Sequence, residues 1–437
     1  MRTGVTCVLA LGLLPSLSAA AAGFDVRAIA LDGAPLPGGG TFSQGMSLTD
    51  VSVEGEALVT GHVWDGVDLR HKGFLLRGDA SDRVVFSEGE PAPGGGVFTD
   101  FAPRINGLGH YAFGGVIDFQ SVGLYRRGSG AATVLAEPGD PAPSPQATHG
   151  APLEVVGLND AGEALFLSTL ATPGGDRTAW ILDDAGVETL VAIEGGPTPL
   201  GGTFDRLPAF GAALGADGAV VFHADVAGGS AGSGLFRWTG AGTAVLYSAG
   251  DPVPTTGGGT FERFYSGVDV NRAGAIGFVA GVDRVGLPVP GGLGLFVLDR
   301  GTLTQVVLAF DQDPGSGTSF GGVWDFDLDD AGRAAFTAPL VEEPWSGLFL
   351  FDGAGIHEVA YEGLPVPSLG AAFYQFHRVR LATNGPLLVE AGVDGVGYGV
   401  FAASSATIPA LPGPGAWLAL AILLLAFGTR QLLADTR

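Results

Sequence analysis

The chain of 437 residues carries 75 glycines and 28 prolines, about a quarter of the total and roughly twice the usual share, which excludes a helix-dominated fold. A hydrophobic content of 46% with 9% aromatics excludes disorder, since disordered chains are apolar-poor. With 21 basic against 45 acidic residues, a net charge of −24 and Lys72 as the only lysine, nucleic acid is excluded as a partner, because phosphate binding needs a clustered basic surface.

Residues 1–22 begin with Arg2, run apolar from Val5 to Leu17 and end in Ser18 and the small residues Ala19 to Ala22. This is the layout of a secretory signal peptide; a buried N-terminal helix is the competing reading. Cys7 precedes most of the apolar run, so it is not read as a lipoprotein site, and no cysteine follows it. Disulfides, thiol catalysis and cysteine-ligated metals are therefore excluded from the rest of the chain.

From residue 23 onward three sequence elements recur seven times. The first is G-x-P-x-P, a Gly-rich turn and a phenylalanine, as in Gly33 to Phe42, Gly89 to Phe98 and Gly250 to Phe261, with a degenerate copy read at Gln312. The second is N-x-x-G followed by Ala-Phe, as in Asn106 to Phe113, Asn159 to Phe166 and Asn271 to Phe278, with variants starting at Ser52, Gly215, Asp329 and Ala382. The third is Gly-Leu-Phe or a relative, ending at Phe74, Tyr125, Trp180, Phe236, Phe296, Phe349 and Phe401. Asn or Asp with Gly three residues on, between apolar runs, is hairpin chemistry, so each unit reads as four short strands, a to d. The repeating region opens on a d strand, Val26 to Ala30, and closes on a c strand near Phe401. A last blade is complete only if the N-terminal strand joins it, and that closure removes sheet edges. The expected fold class is therefore all-β: a seven-bladed β-propeller over 23–405, with an N-terminal signal helix and a C-terminal hydrophobic helix outside it. An open β-solenoid or two smaller β domains is the alternative.

Candidate chemistry is sparse. Gly228 to Gly232 matches G-x-S-x-G, but it lies in a Gly-rich loop between strands instead of a strand-to-helix elbow. The seven histidines lack zinc spacing, and Arg70, His71 and Lys72 form a basic cluster expected on a loop. Asp325, Asp327, Asp329 and Asp330 fail the EF-hand pattern; they read either as a cation-binding strand face or as strand residues leading into the Asp329 turn. Counting forward from each turn glycine, Asp118, Asp283 and Asp394 fall nine residues on, Asp65 and Glu342 ten, and Asp225 seven. That places carboxylates at the b-to-c loops of one face, together with Asp176, Arg177, Arg284, Trp345 and Tyr398. Such a face reads either as a binding surface for a divalent cation such as Ca²⁺, a cationic partner or a carbohydrate, or as solubilising charge. No catalytic residue and no resident cofactor is assigned.

Residues 406–415 form a Pro/Gly linker containing Ile408-Pro409-Ala410-Leu411, and 416–437 a hydrophobic tail whose apolar stretch, Ala416 to Phe427, is followed by Arg430 and Arg437. This end resembles the C-terminal sorting tails of bacterial exosortase systems, the PEP-CTERM and especially IPTL-CTERM class; an ordinary single-span anchor explains the same residues. The repeats themselves resemble the bacterial NxxGxxAF tandem-repeat proteins, described as having a choice of C-terminal anchors. That resemblance implies a secreted or surface-attached protein and carries no established activity. The expected function is a monomeric, non-enzymatic binding or matrix module, exported and held at the membrane by residues 416–427, with an envelope or extracellular polysaccharide or protein as partner. A carbohydrate-active enzyme, lyase or glycosidase, is the alternative. A deep central pocket holding a carboxylate pair from the b-to-c set would favour the enzyme, and a shallow channel lined by Gly, Ala and Val the binding module.

Overall fold

The computed structural model describes residues 24–405 apart from positions 80, 255–257, 284–291, 343–344, 367–368 and 384. The expected signal helix, linker and C-terminal helix lie outside the described residues. The chain opens on β1 (Phe24–Leu31). Blade 1 follows as β2 (Thr41–Val51), β3 (Ala57–Trp64), β4 (Leu69–Leu76) and β5 (Arg83–Ser87), and blade 2 as β6 (Phe98–Ile105), β7 (Tyr111–Ile117), β8 (Ser121–Arg127) and β9 (Thr133–Ala136). Blade 3 is β10 (Thr148–Leu158), β11 (Ala164–Thr172), β12 (Gly175–Asp184) and β13 (Val187–Ile193). In blade 4 strand a is broken around Pro208 into β14 (Thr203–Arg206) and β15 (Ala212–Leu214), and β16 (Val220–Ala227), β17 (Ser233–Thr239) and β18 (Gly242–Ser248) complete it. Blade 5 is β19 (Thr260–Val270), β20 (Ile276–Asp283), β21 (Gly292–Asp299) and β22 (Thr302–Leu308); blade 6 is β23 (Asp325–Leu328), β24 (Ala334–Pro339), β25 (Ser346–Phe351) and β26 (Ile356–Tyr361). Blade 7 is β28 (Ala371–Leu381), β29 (Leu387–Val393) and β30 (Gly397–Ser405), with a short β27 (Pro365–Val366) beside β28.

These strands form seven antiparallel sheets, and β1 is the outer strand of the seventh, paired with β30 from Phe24↔Ser405 to Leu31↔Gly399. The propeller expected from the order of the repeats is thus the observed fold, closed by its own N-terminal strand. Among the described residues no helix is long and apolar enough to cross a membrane.

The repeated aromatics explain why each blade holds together. The phenylalanines of the three sequence elements meet inside one blade: Phe98, Phe113 and Tyr125 with ring centroids 4.9 to 5.6 Å apart in blade 2, Phe204, Phe222 and Phe236 at 5.3 to 5.7 Å in blade 4, and Phe320, Phe336 and Phe349 at 5.0 to 6.0 Å in blade 6. Such triads bury large rings in edge-on and stacked contact. In blade 3 His149 takes the first position, and its two nitrogens are engaged by Ser168 Oγ and Glu188 Oε2, each at 3.0 Å.

The connector is equally uniform. The backbone N–H of its first residue donates to the carbonyl of its phenylalanine position in every copy, for example Gly33 to Phe42 at 2.8 Å and Gly195 to Phe204 at 2.7 Å. The degenerate copy makes the same bond from Phe310 to Phe320 at 2.7 Å, and Phe310 has φ 72°. The glycine equivalent is therefore Phe310, not Gln312, which occupies the place of the first proline and bridges Ser319 as Pro91 bridges Val97. A two-residue misalignment follows from reading Asp313-Pro314 as the start of the motif when it is the end. The acid that follows the glycine caps the preceding d strand: Glu90, Asp140, Asp251 and Asp311 accept the N–H of Ser87, Glu137, Ser248 and Leu308.

Candidate functional site

Strand a of each blade lies innermost and leads into the N-x-x-G turn. The residue two positions before that turn is Asp50, Arg104, Gly157, Ala213, Asp269, Asp327 and Arg380 in blades 1 to 7, and all seven line one axial channel of about 880 Å³. The channel is polar and charged, and its charges come from the innermost strands.

Its carboxylates hold the ring together. Asp50 Oδ2 accepts Ile105 N–H at 3.0 Å, Asp269 Oδ2 accepts Leu328 N–H at 2.8 Å, and Asp327 Oδ2 accepts Leu381 N–H at 2.6 Å, each from strand a of the next blade. Asp325 takes Val379 N–H and Arg380 Nη1, and Glu390 takes Leu48 N–H across the blade 7 to blade 1 junction. One level lower the turns interlock. Asn106 Nδ2 donates to Asn159 O, Asn159 Nδ2 to Gly215 O and Asn271 Nδ2 to Asp329 O, while Asp160 and Asp330 accept Gly107 N–H and Arg272 N–H. Among the described residues, all seven carboxylates that line the channel thus accept a backbone N–H from a neighbouring blade. Phe210 O, accepting Gly267 N–H at 3.1 Å, ties blade 4 to blade 5.

The two ends of the channel differ. At the turn end Arg272 reaches from blade 5 past blade 4 to Asp160 of blade 3, 3.3 Å away, and its guanidinium lies against Gly107 of blade 2, where a Cβ would collide with it. Toward the other end Phe210, Trp324 and His377 line the wall five residues before their turns, and Phe210 and Trp324 are 60% and 52% exposed.

Enclosure within the ring sets the electrostatics, although the side chains remain reachable by water through the channel. Burial pushes the Asp269 carboxyl up, and burial followed by the Asp269 charge pushes Asp327 well above the carboxylate range, with Arg380 opposing both. Burial alone would lower Arg380, but Asp325, Asp327, Asp50 and Asp269 surround it and hold its proton more tightly than usual. Arg104 moves the other way. Burial lowers it, Asp50 partly offsets that, and the like charges of Arg380 and Arg378 add to the fall. Glu154 is raised by burial against the pull of Arg104 and Arg378.

The b-to-c residues singled out in the sequence lie elsewhere. Asp65, Asp118 and Asp394 occupy the b-to-c turns of blades 1, 2 and 7, Asp225 and Asp283 the ends of β16 and β20, and Glu342 and Trp345 the loop after β24; Arg284 lies outside the described residues. None of the six acids lines the axial channel. Asp65 caps its own turn at Val67 and Asp68, Asp118 accepts Val97 N–H, and Asp225 pairs with Arg263 at 2.6 Å beside a small outer cleft shared with Asp205 and Glu262. No group of His, Cys, Asp or Glu suited to a metal ion occurs among the described residues. His71 belongs to β4 instead of a loop; it is buried, with Nδ1 2.6 Å from Asp100 Oδ1 and its ring stacked on Phe101 at 4.5 Å. Asp329 caps its turn by accepting Ala331 and Arg333 N–H, as the turn reading requires.

Fold and channel together define a Velcro-closed, seven-bladed β-propeller with a charged axial channel bridged at one end. The chain belongs to a family of unknown function (DUF7453), whose model matches residues 18–229 and 118–406. No curated protein matches it. Among solved structures it is similar to the β-propeller domain of the trilobed protease from Pyrococcus furiosus, at 13% identity and TM-score 0.47 over 83% of this chain and 98% of that one. It is also similar to an α-L-arabinanase from Penicillium chrysogenum, at 11% and 0.36 over 70% and 92%, and to the six-bladed fungal lectin of Aleuria aurantia, at 10% and 0.32 over 71% and 92%. Likenesses of this size transfer no function.

Proposed function

We propose that this protein is an exported, envelope-displayed propeller of the NxxGxxAF tandem-repeat type, a non-enzymatic module that binds an extracellular polysaccharide in its axial channel. The observation that carries this reading is the engagement of all seven channel carboxylates by backbone N–H groups of neighbouring blades. A general acid or base must exchange its proton with a substrate in the site, whereas these carboxylates are spent on holding strands. Export and display rest on the signal-peptide layout of residues 1–22 and on the sorting-tail pattern from Ile408 to Arg437.

A second reading, a lyase or glycosidase, draws support from Asp269 and Asp327, whose raised affinity for protons is what a general acid needs. The test is incubation of the purified full chain with a panel of acidic and neutral polysaccharides. Saturable retention without new reducing ends or unsaturated products supports binding. Turnover that disappears in Asp327→Asn overturns it in favour of the enzyme. Cell fractionation and the intact mass of the native protein test display: a mass that retains 416–437 means a simple anchor, and one that lacks it means a cleaved sorting tail.

A further inference from the structure

Each channel carboxylate is tied to a backbone N–H of a neighbouring blade, whereas two of the arginines in the channel have no ion-pair partner among the described residues. Of the four that line it, Arg380 pairs with Asp325 at 3.1 Å and Arg272 with Asp160 at 3.3 Å. Arg104 donates to the Thr49 carbonyl at 2.8 Å and forms no ion pair among the described residues. The Arg378 side chain is exposed in the channel and makes neither a hydrogen bond nor an ion pair with any described residue, its electrostatic neighbours being Glu154 and Arg104. These last two belong to strands a of blades 2 and 7, which flank blade 1, and Ser47 of blade 1 lines the wall between them. A guanidinium does not shed its proton in a protein, so Arg378 and Arg104 both stay charged, with Asp50 beside Arg104 and Glu154 within range of both as the acids that face them. One position further from the turn than Arg378, and on the adjacent blade 6, stands the exposed Trp324.

We propose that this arc is a receptor for one anionic group, a carboxylate or sulfate, of an acidic polysaccharide, with Trp324 as the apolar platform for the adjoining sugar. The proposal rests on the binding reading above and names its ligand class. Planar fork donors match carboxylate and sulfate oxygens two at a time, and pockets of this kind join apolar walls to a few convergent polar groups. A cation is disfavoured because the two arginines without an ion-pair partner put positive charge at this arc. The Arg272–Asp160 pair bridges the turn end of the channel, so the acidic unit enters from the Trp324 end.

The experiment is calorimetric titration of the full chain with three oligosaccharide probes: an oligouronate, the same oligomer methyl-esterified, and a sulfated oligomer. The acidic probes are expected to bind, with the ester weaker by about tenfold or more, the loss of one charge-assisted contact. Arg378→Ala is expected to lose a similar factor, Arg378→Lys to lie between, and Trp324→Ala to weaken acid and ester alike. Because the Arg378 side chain is exposed and makes no hydrogen bond or ion pair with a described residue, its alanine variant should melt with the wild type, which separates lost binding from lost structure. Preference between uronate and sulfate identifies the source of the anion. Equal binding of acid and ester, or full binding by Arg378→Ala, overturns the anion receptor and leaves the binding module standing. Failure of every glycan to bind removes both.

Discussion

His223 shows how one residue sets a pH response. It is 4% exposed on β16, neither ring nitrogen has a hydrogen-bond partner among the described residues, and burial lowers its pKa from 6.5 to about 4. A depressed histidine stays neutral when folded while the unfolded chain takes up a proton, so stability is full above pH 6.5 and falls as the pH drops toward 4. The gap corresponds to about 3 kcal/mol. Glu358 acts in the opposite sense: burial and then the Asp313 charge raise it to about 7, so its contribution is present below pH 4.5 and fades as the pH rises to 7. The two slopes partly cancel in the wild type, and a variant is needed to separate them. His223→Leu, which replaces two unpaired buried nitrogens by carbon, should be at least as stable as the wild type at pH 7 and should gain about 3 kcal/mol relative to it at pH 4. Urea unfolding at the two pH values reads this directly, and parallel profiles for the two proteins would refute the assignment.

At the scale of the strand and its turn, the asparagine of N-x-x-G performs two tasks. Asn159 Oδ1 accepts Glu163 N–H at 3.0 Å, while Nδ2 donates to Glu163 Oε2 at 2.5 Å and to Gly215 O of the next blade at 3.2 Å. Blade 6 reaches the same end with an aspartate, which cannot donate and instead receives Arg333 Nε at 2.6 Å, four residues on. Asn159→Asp should therefore cost about 2–4 kcal/mol, because it removes both donations and sets a second carboxylate beside Glu163 in a buried site. Adding Glu163→Arg copies the blade 6 pair and should recover more than half, a coupling that a double-mutant cycle of urea midpoints measures. Turns like this one were legible in the sequence because their demands are local: an Asx side chain and a glycine such as Gly109, at φ 74°, betray them wherever they occur. The channel was not legible in the same way. Its seven positions carry three aspartates, two arginines, a glycine and an alanine, so no residue type repeats, and their meaning arises only when seven separate strands converge. Counting forward from the turn glycine reached the b-to-c loops; counting back two residues from the turn would have reached the channel.

For the whole molecule, the decisive contact joins residues almost a full chain length apart. Strand β1 supplies the fourth strand of blade 7 and carries Ala30 into the core beside Phe42, Leu388 and Val400. The sequence foretold this closure because the repeats begin on a d strand and end on a c strand, an ordering that leaves one sheet unfinished at each end. Without β1, the backbone groups of β30 that now pair with it would form an open edge, and open edges template association. Removal of residues 24–31 should make the protein aggregate or unfold in several steps. The converse variant is more informative. Val26 and Ala403 are register partners, partners in antiparallel strands lie within disulfide reach, and the sequence has a single native cysteine, Cys7. Val26→Cys with Ala403→Cys should therefore oxidise cleanly and tie the ring shut. In the chain-entropy treatment a loop of this length is worth up to about 6 kcal/mol, and that gain appears only if unfolding of the native protein separates β1 from β30. A melting temperature that rises on oxidation and returns on reduction marks the β1–β30 seam as part of the cooperative unit. An unchanged temperature would mean that blade 7 opens independently and that the other six blades stand without it.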